Sequence, residues 1–414
     1  MRRLSSESGA VLMNVILAMV LLIGINTFVI DYGVMWVGRG QAQNAADAGA
    51  LAGAVAMAFD DYNDRLDTGP AKRSAYETTQ QNSIWGTAPA VNIMNDVTFP
   101  TVPANPCGDN SCIRVDVYRN VARGNPLPAL FGTAIGLTSQ GVRAMAIARA
   151  GAANASDCLK PFAIPDKWLD RYDETPTIDV NTWTADDAFD LVYPHGSKVG
   201  KAGDPIGAPN LPDLYVAPSK NSTGTGFTLA DDLGTKVVLK YGNPNDSPSP
   251  GNFLPIDLPL ANGGVSSGGS DYSNNIANCN GAPVAIGDTL TTEPGNMVGP
   301  TKAGMDDLIA KDPNAQWDPT SKAVINSCAQ ASPSCGKASP RIVAIPVFNT
   351  SIYETDRLNG KSDVVITNIL GFFVESQSNK GDITGYFTTV PGLLVNGPSV
   401  GNQSGFAKVV MLVR

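Results

Sequence analysis

Between residues 10 and 30 the chain reads AVLMNVILAMVLLIGINTFVI, apolar except for Asn14, Asn26 and Thr27 and free of charge. As a helix rising about 1.5 Å per residue, this run spans roughly 31 Å, enough for the hydrocarbon core of a bilayer. The pattern then changes, because residues 41–58 are rich in alanine, the best helix former, and contain no proline. Residues 10–58 therefore predict one long helix or two in tandem, the first half in a membrane and the second projecting from it. Glycine weakens a helix interior by up to about 1 kcal/mol, so a kink or break is expected near Gly38 and Gly40. In the second half Ala45, Gly49 and Gly53 recur every fourth residue, as do Ala46, Ala50, Ala54 and Ala58. Small residues at that spacing let helix backbones approach closely. Ala45, Gly49 and Gly53 are the candidate packing face for another helix, with Asn44 and Asp47 as polar contacts beside it. Alanine propensity alone does not call for glycine at 49 and 53.

Downstream, residues 60–70 form a polar hinge ending in Gly69-Pro70. Residues 71–85 predict a helix, 91–99 and 113–118 strands, 127–137 a short helix, and 142–149 a strand whose alternation is blurred by alanine. Residues 151–156 are a small-residue linker. From 160 to 300 short apolar runs, among them 236–241 and 253–260, are broken by Gly and Pro, and 301–311 predict a short helix before the turn Asp312-Pro313-Asn314. The clearest strands come last, at 341–348, 364–375, 383–390 and 406–413, rich in Val, Ile and Phe and separated by Asn/Gly/Ser turns, as in a sheet or barrel. Because the last strand ends the chain, truncating it is expected to unfold the domain. The fold class is α+β, in six parts. These are a cytoplasmic N-terminus (1–9), a transmembrane helix (10–30), an alanine-rich helical extension (31–60), a small α/β domain (61–150), a linker (151–157) and a β-rich C-terminal domain (158–414).

Composition narrows the setting. The chain has 414 residues, a net charge of −9, 42 Gly and 30 Pro, which suits a loop-rich exported β domain. An acidic surface argues against nucleic acid as a partner and against adsorption to anionic lipid. Arg2 and Arg3 precede the apolar run, whereas only Arg39 follows it soon, among Asp31 and Asp47. Basic residues stay on the cytoplasmic side, so the bulk of the chain is expected outside. A cleaved secretory signal is the rival, but the run exceeds the usual 7–15-residue core and no small-x-small site closes it cleanly. The six cysteines, Cys107, Cys112, Cys158, Cys279, Cys328 and Cys335, suggest three disulfides on an exported chain. Proximity favours Cys107 with Cys112 and Cys328 with Cys335, leaving Cys158 and Cys279. About fifteen pairings are open to six cysteines, and sequence does not choose among them. Zinc is disfavoured, because no pair has C-x-x-C spacing and the only histidine is His195.

Several motifs bear on catalysis or ligand binding. Gly264-Val265-Ser266-Ser267-Gly268 matches the nucleophile elbow, which needs a strand before it, a helix after it and a later histidine. Here it reads as a flexible glycine–serine loop, and His195 comes earlier. Asn359-Gly360-Lys361-Ser362 resembles a P-loop tail, but Thr355 stands where its first glycine belongs. Asp312-Pro313-Asn314-Ala315-Gln316 resembles a calcium loop without its glycine and terminal glutamate. Trp168, Trp183 and Trp317 suit a buried core better than a stacking surface. His195 reads as a surface-loop residue. Asp170, Asp173, Glu174, Asp186, Asp187 and Asp190 read as a solvated acidic face rather than a cation site. No catalytic residue, metal or cofactor is expected.

Gly9 before the apolar run, Asp31 at its end, and Gln41-x-x-Asn44-Ala-Ala-Asp47-Ala-x-Ala-Leu-Ala-Gly53 together resemble the N-terminal segment of the TadE/TadG-like proteins of the Tad (Flp, tight-adherence) pilus-assembly system. Leu130-Phe131-Gly132 and VRAMAIARA at 142–150 also fit. PFAIPDKW, EPGNMVGPT and SPRIVAIPVF look like the C-terminal region of some TadG-type proteins, with no chemistry attached. The Asp-x-Ser-x-Ser metal pattern of a von Willebrand A domain is missing, so metal-dependent adhesion is not carried over. Pilin-like cleavage after Gly9 stays open, although Asn14 stands where pilin precursors carry glutamate. The resemblance implies a single-pass protein of the bacterial inner membrane, N-terminus in, with a periplasmic or extracellular ectodomain. Its expected work is associative, through helix contacts with other pilus-assembly or envelope proteins and ectodomain contacts with the fibre, a partner or a surface. The alternatives are a membrane-anchored adhesin binding a surface or glycan ligand and, less favoured, an envelope hydrolase using Ser266. Leucine at 49 and 53 is expected to disrupt partner association while leaving expression intact.

Overall fold

The structure is a computed structural model that describes residues 8–100, 107–108, 110–169, 188–189, 191, 213–244, 246–279, 281–332, 335, 338–357 and 361–413. It divides into two compact units, Met1–Ala150 with Val410–Arg414, and Gly151–Val409. The fold is α+β.

The first unit is built on one helix, α1 (Ser8–Phe59), of 52 residues. It is unbroken at Gly38 and Gly40, against the expected kink. At Gly38 the missing side chain admits a neighbour instead, since a Cβ there would lie 2.8 Å from Leu127 Cδ1. Every described side chain between 11 and 30 is exposed, so this half has no partner within the described residues. From Asp31 onward α1 is half-buried. A second helix, α2 (Pro70–Gln81), opens on proline, whose missing N–H costs nothing in a first turn. It stops short of residue 85 because Trp85 (φ 50°) and Gly86 (φ 73°) take a left-handed turn.

Three strands follow, β1 (Val97–Thr98), β2 (Cys112–Arg119) and β3 (Val142–Ala152), in the order β1-β2-β3. The strand expected over 91–99 shrinks to β1 because Asn92 Oδ1 accepts the N–H groups of Met94 (2.9 Å) and Asn95 (3.1 Å) and holds a turn. In β3 the alternation is intact, with alanine as the inward residue: Ala144, Ala146, Ala148 and Ala150 are buried, Arg143 and Met145 exposed. The helix expected over 127–137 is absent. Leu127–Pro128 pairs with Ser139–Gln140, and a 3-10 turn covers Gly132–Ile135. Pro126 and Pro128 lack the donors a helix needs, and Gly136 (φ 87°) ends the turn. Val413 donates its N–H to Ile147 O, so the C-terminal residues of this unit lie along β3.

In the second unit the predicted linker is strand. Residues 153–156 are buried, and Ala155–Ser156 pairs with Val284–Ala285. The main sheet comprises β4 (Phe162–Pro165), β5 (Lys236–Tyr241), β6 (Asn252–Pro255), β7 (Thr289–Thr291), β8 (Ile342–Phe348), β9 (Asp363–Gln377) and β10 (Ile383–Thr388). Because β9 pairs with β8 along 366–373 and with β10 along 371–377, the order β9-β8-β4-β6-β5-β10 closes on itself. Closure removes the open edges on which sheets aggregate. The β8/β4 and β5/β6 pairs are parallel and the others antiparallel. β8 is buried on both faces, hence its unbroken run IVAIPVF. Leu159, Ala163, Phe348, Ile366 and Ile369 belong to the core. Trp317 stacks on Tyr386 at 5.1 Å and Trp168 meets Phe189 edge-on at 5.4 Å, which places both in packed interiors; Trp183 lies outside the described residues. The cysteines pair as Cys107–Cys112, Cys158–Cys279 and Cys328–Cys335.

Candidate functional site on the N-terminal helix

The small-residue face of α1 is occupied by α2. Ala42, Ala45, Ala46, Ala50 and Ala54 are fully buried, as are Ala71 and Ala75 on α2. A Cβ on Gly49 would collide with Thr79 Oγ1, and one on Gly53 would lie 2.9 Å from Ala75 Cβ and 2.6 Å from Ile113 Cδ1. The close approach that glycine permits is therefore used within the chain. The polar residues beside this face divide: Asn44 is exposed, whereas Asp47 accepts from Gln43 Nε2 at 2.8 Å. The sequence reading passed over two glutamines of the same motif. Gln41 Oε1 accepts the N–H of Trp85 (2.7 Å), and Gln43 Nε2 also reaches Met145 O (3.1 Å).

Asp31 forms the second feature. It follows directly on the apolar run, yet its side chain is buried. Its carboxylate accepts from the N–H groups of Leu130 (2.7 Å), Phe131 (3.3 Å) and Gly132 (2.5 Å) at the start of the 3-10 turn. Successive N–H groups converging on one carboxylate satisfy a charge that would otherwise be costly beside an apolar surface. Gly132 is required by the approach: a Cβ there would lie 2.9 Å from Asp31 Oδ2 and 3.0 Å from Leu137 Cβ. The lone charge within a long uncharged stretch was the signal for this site, but its partners stand about a hundred positions away.

In the second unit, the candidate motifs have structural partners. Ser266 lies in a two-residue strand, Val265–Ser266, paired with Leu258–Pro259, and a helix, α3 (Gly269–Ala277), follows. The segment is thus not the open loop expected, because Gly263, Gly264 and Gly268 take positive φ and turn the chain tightly. Ser266 is buried, and its Oγ accepts from Asn275 Nδ2 at 2.8 Å. Asp312 accepts from Ser327 Oγ (2.7 Å), Ser339 Oγ (2.6 Å) and the N–H of Cys328 (3.0 Å), so the carboxylate of the calcium-like loop is engaged. Arg341 donates to Asp312 O, Ala315 O and Val374 O at 2.8–3.0 Å. Lys361 pairs with Asp257 at 3.1 Å. A cavity of about 460 Å³ beside Cys158–Cys279 carries Lys160 and Lys311. Their ammonium groups donate to Asn278 O (2.9 Å) and Asn278 Oδ1 (2.8 Å), at the C-terminal end of α3, where cations are favoured. His195, Asp170, Asp173, Glu174, Asp186, Asp187, Asp190, Asn359 and Gly360 lie outside the described residues, as do Arg2 and Arg3.

Burial sets the titration of this unit. Asp166, fully buried, is pushed up to about 6 even though Tyr215 and two backbone N–H groups bond its carboxylate. Glu293 is pushed up to about 7 by burial and by its bond to Asp257. Burial and the nearby Lys311 pull Lys160 down to about 7. For a raised carboxyl the folded state holds its proton longer than the unfolded chain does, so stability falls as pH rises from about 4 through 6 to 7. Lys160 acts oppositely: above about pH 7 the folded chain has released its proton while the unfolded chain still holds it, so stability rises with pH from there towards 10.5. The urea midpoint of the full chain in detergent is thus expected to be higher at pH 5 than at pH 7. Asp166→Asn is expected to remove roughly 1 kcal/mol of that pH difference. An unchanged pH profile in the variant would contradict this assignment.

Residues 9–56 match the family described as putative Flp pilus-assembly TadE/G-like. The matched span lies wholly within α1 (Ser8–Phe59). No curated protein and no solved structure matches the chain.

Proposed function

With residues 9–56 a TadE/G-like segment of the Flp pilus-assembly type, we propose that this protein is a membrane-anchored component of that system which acts by contact and breaks no bond. α1 crosses the inner membrane once, N-terminus inside, and the chain beyond its membrane half lies in the periplasm or outside it. The observation that carries this reading is that the family match falls on a helix whose residues 11–30 are uncharged and mostly apolar, every described side chain among them exposed. Three disulfides suit an oxidising compartment. Since α2 covers the small-residue face, partner proteins meet α1 through its membrane half and through exposed positions such as Asn44. The Ser266 hydroxyl serves the packing of α3, not a reaction.

Deletion of the gene, scored by electron microscopy of pili and by surface adherence, tests the proposal. Loss of pili, restored equally by the full chain and by Ser266→Ala, is expected. Normal pili with lost adherence would move the function to the β-barrel unit as an adhesin, and failure of Ser266→Ala alone would revive the hydrolase.

A further inference from the structure

Residues 127–141 form a second apolar surface beside α1, fixed at a definite level along it. Asp31 binds the N–H groups of Leu130, Phe131 and Gly132, and Leu127 fills the space above Gly38. These two attachments lie seven residues apart, about 10 Å along the helix. The segment contains no charged residue. Apart from the buried Leu127, three of its large apolar side chains are turned outward: Leu130 is 51%, Phe131 45% and Leu137 57% exposed. On the adjoining helix Phe28, Tyr32 and Trp36 stand exposed at four-residue spacing, Phe28 stacked on Tyr32 at 5.5 Å. Between loop and helix lies an apolar groove of about 320 Å³, lined by Phe28, Tyr32, Met35, Ala129 and Leu137.

We infer that the loop spanning Ala129 to Leu137 is an interfacial membrane element, which inserts Leu130, Phe131 and Leu137 into the outer leaflet of the bilayer that α1 crosses. The inference rests on the reading of α1 as a membrane span. Continuity with that span identifies the occupant as lipid. The apolar run fills a core of about 30 Å and ends at Ile30, and the headgroup layer adds roughly 5–8 Å beyond it. Asp31 stands at that boundary, so a loop bonded to its carboxylate cannot clear the layer. Tyr and Trp side chains at one helix level are what membrane–water interfaces favour. The carboxylate at this depth is tolerable because backbone donors, not water, satisfy it. With no basic residue in the loop, insertion depends on apolar contact and not on lipid charge.

The test uses the full chain in phosphatidylcholine bilayers, with an environment-sensitive fluorophore on Phe131→Cys, Leu21→Cys or Asn44→Cys and lipids spin-labelled at shallow or deep acyl positions. Leu21 reports the span and Asn44, about 20 Å beyond Ile30, reports water. Phe131 is expected to be quenched severalfold more by the shallow label than by the deep one, Leu21 by the deep one, and Asn44 by neither. Addition of phosphatidylglycerol is expected to leave the Phe131 signal unchanged. An unquenched Phe131 beside a quenched Leu21 would overturn the inference while leaving the anchor intact, as would a shielded Phe131 emission insensitive to both lipid labels, which would indicate protein contact. An unquenched Leu21 would overturn the anchor and the inference together.

Discussion

Replacing Gly49 and Gly53 together by leucine is expected to unfold the helix pair of the first unit. A Cβ at 49 meets Thr79 Oγ1 and lies 3.0 Å from Ala75 O, and a Cβ at 53 lies 3.0 Å from Ala71 O. Two of these neighbours are carbonyls of the α2 backbone, which cannot rotate away as a side-chain tip can. Thr79 is also held, its hydroxyl donating to Ala75 O at 2.7 Å. Overpacking typically costs about 1–3 kcal/mol per site. Here each leucine must push α2 outward as a body, so a combined loss of about 5 kcal/mol is expected. The exposed neighbour Asn44 is the control, since Asn44→Leu should change stability by no more than about 0.5 kcal/mol. Limited proteolysis of the full chain in detergent reads the difference. Rapid cleavage between 60 and 70 in the double variant is the expected result, and wild-type resistance would contradict the packing described. This prediction differs from the sequence-based expectation that the variant would lose partner association while leaving expression intact.

Removal of the Cys158–Cys279 disulfide by paired serine substitutions is expected to be the most damaging cysteine change. The bond closes a loop with a sequence separation of 121, against 5 for Cys107–Cys112 and 7 for Cys328–Cys335. On the chain-entropy estimate the long loop corresponds to about 5 kcal/mol and the short ones to about 2 kcal/mol each. The bond joins the residues before β4 to the end of α3. Without it, the barrel must gather strands separated by most of the unit's length with no covalent help. A fall of about 10 °C or more in the thermal midpoint of the second unit is expected, with smaller falls for the other two pairs. Equal effects for all three would show that local packing, and not loop closure, dominates.

How much of this was legible in the sequence varied with the range of the interactions. α1 announced itself because length, apolarity and alanine content are local properties. The small-residue face was legible too, but not its occupant: α2 is short and polar, and only its Ala71, Ala75 and Thr79 face reveals the match. The segment 127–137 was misread because its apolar residues suggested a helix while Pro126, Pro128 and Gly136 held the decisive backbone constraints. The strands from 341 onward were plain, yet barrel closure depends on β9 pairing with β8 and β10 over different stretches, and no periodicity encodes that. Ser266 illustrates the reverse error. Its glycines suggested an open loop, whereas positive φ at Gly263, Gly264 and Gly268 makes a tight hairpin leading into a helix. Asp31 was read only as the residue that ends the apolar run, and its three donors could not be found without the fold.

The most direct test of the proposed role exchanges residues 11–30 for an unrelated apolar helix of the same length, keeping Asp31 to Phe59 so that the contacts with α2 and with the N–H groups of 130–132 survive. Pili are then counted by electron microscopy in the deletion strain expressing the hybrid at the normal level. If this half of α1 carries the contacts of assembly, the hybrid will be membrane-bound, disulfide-bonded and protease-resistant, and the cells will lack pili. Normal pili from the hybrid would reduce residues 11–30 to an anchor and contradict the claim that partners are met there.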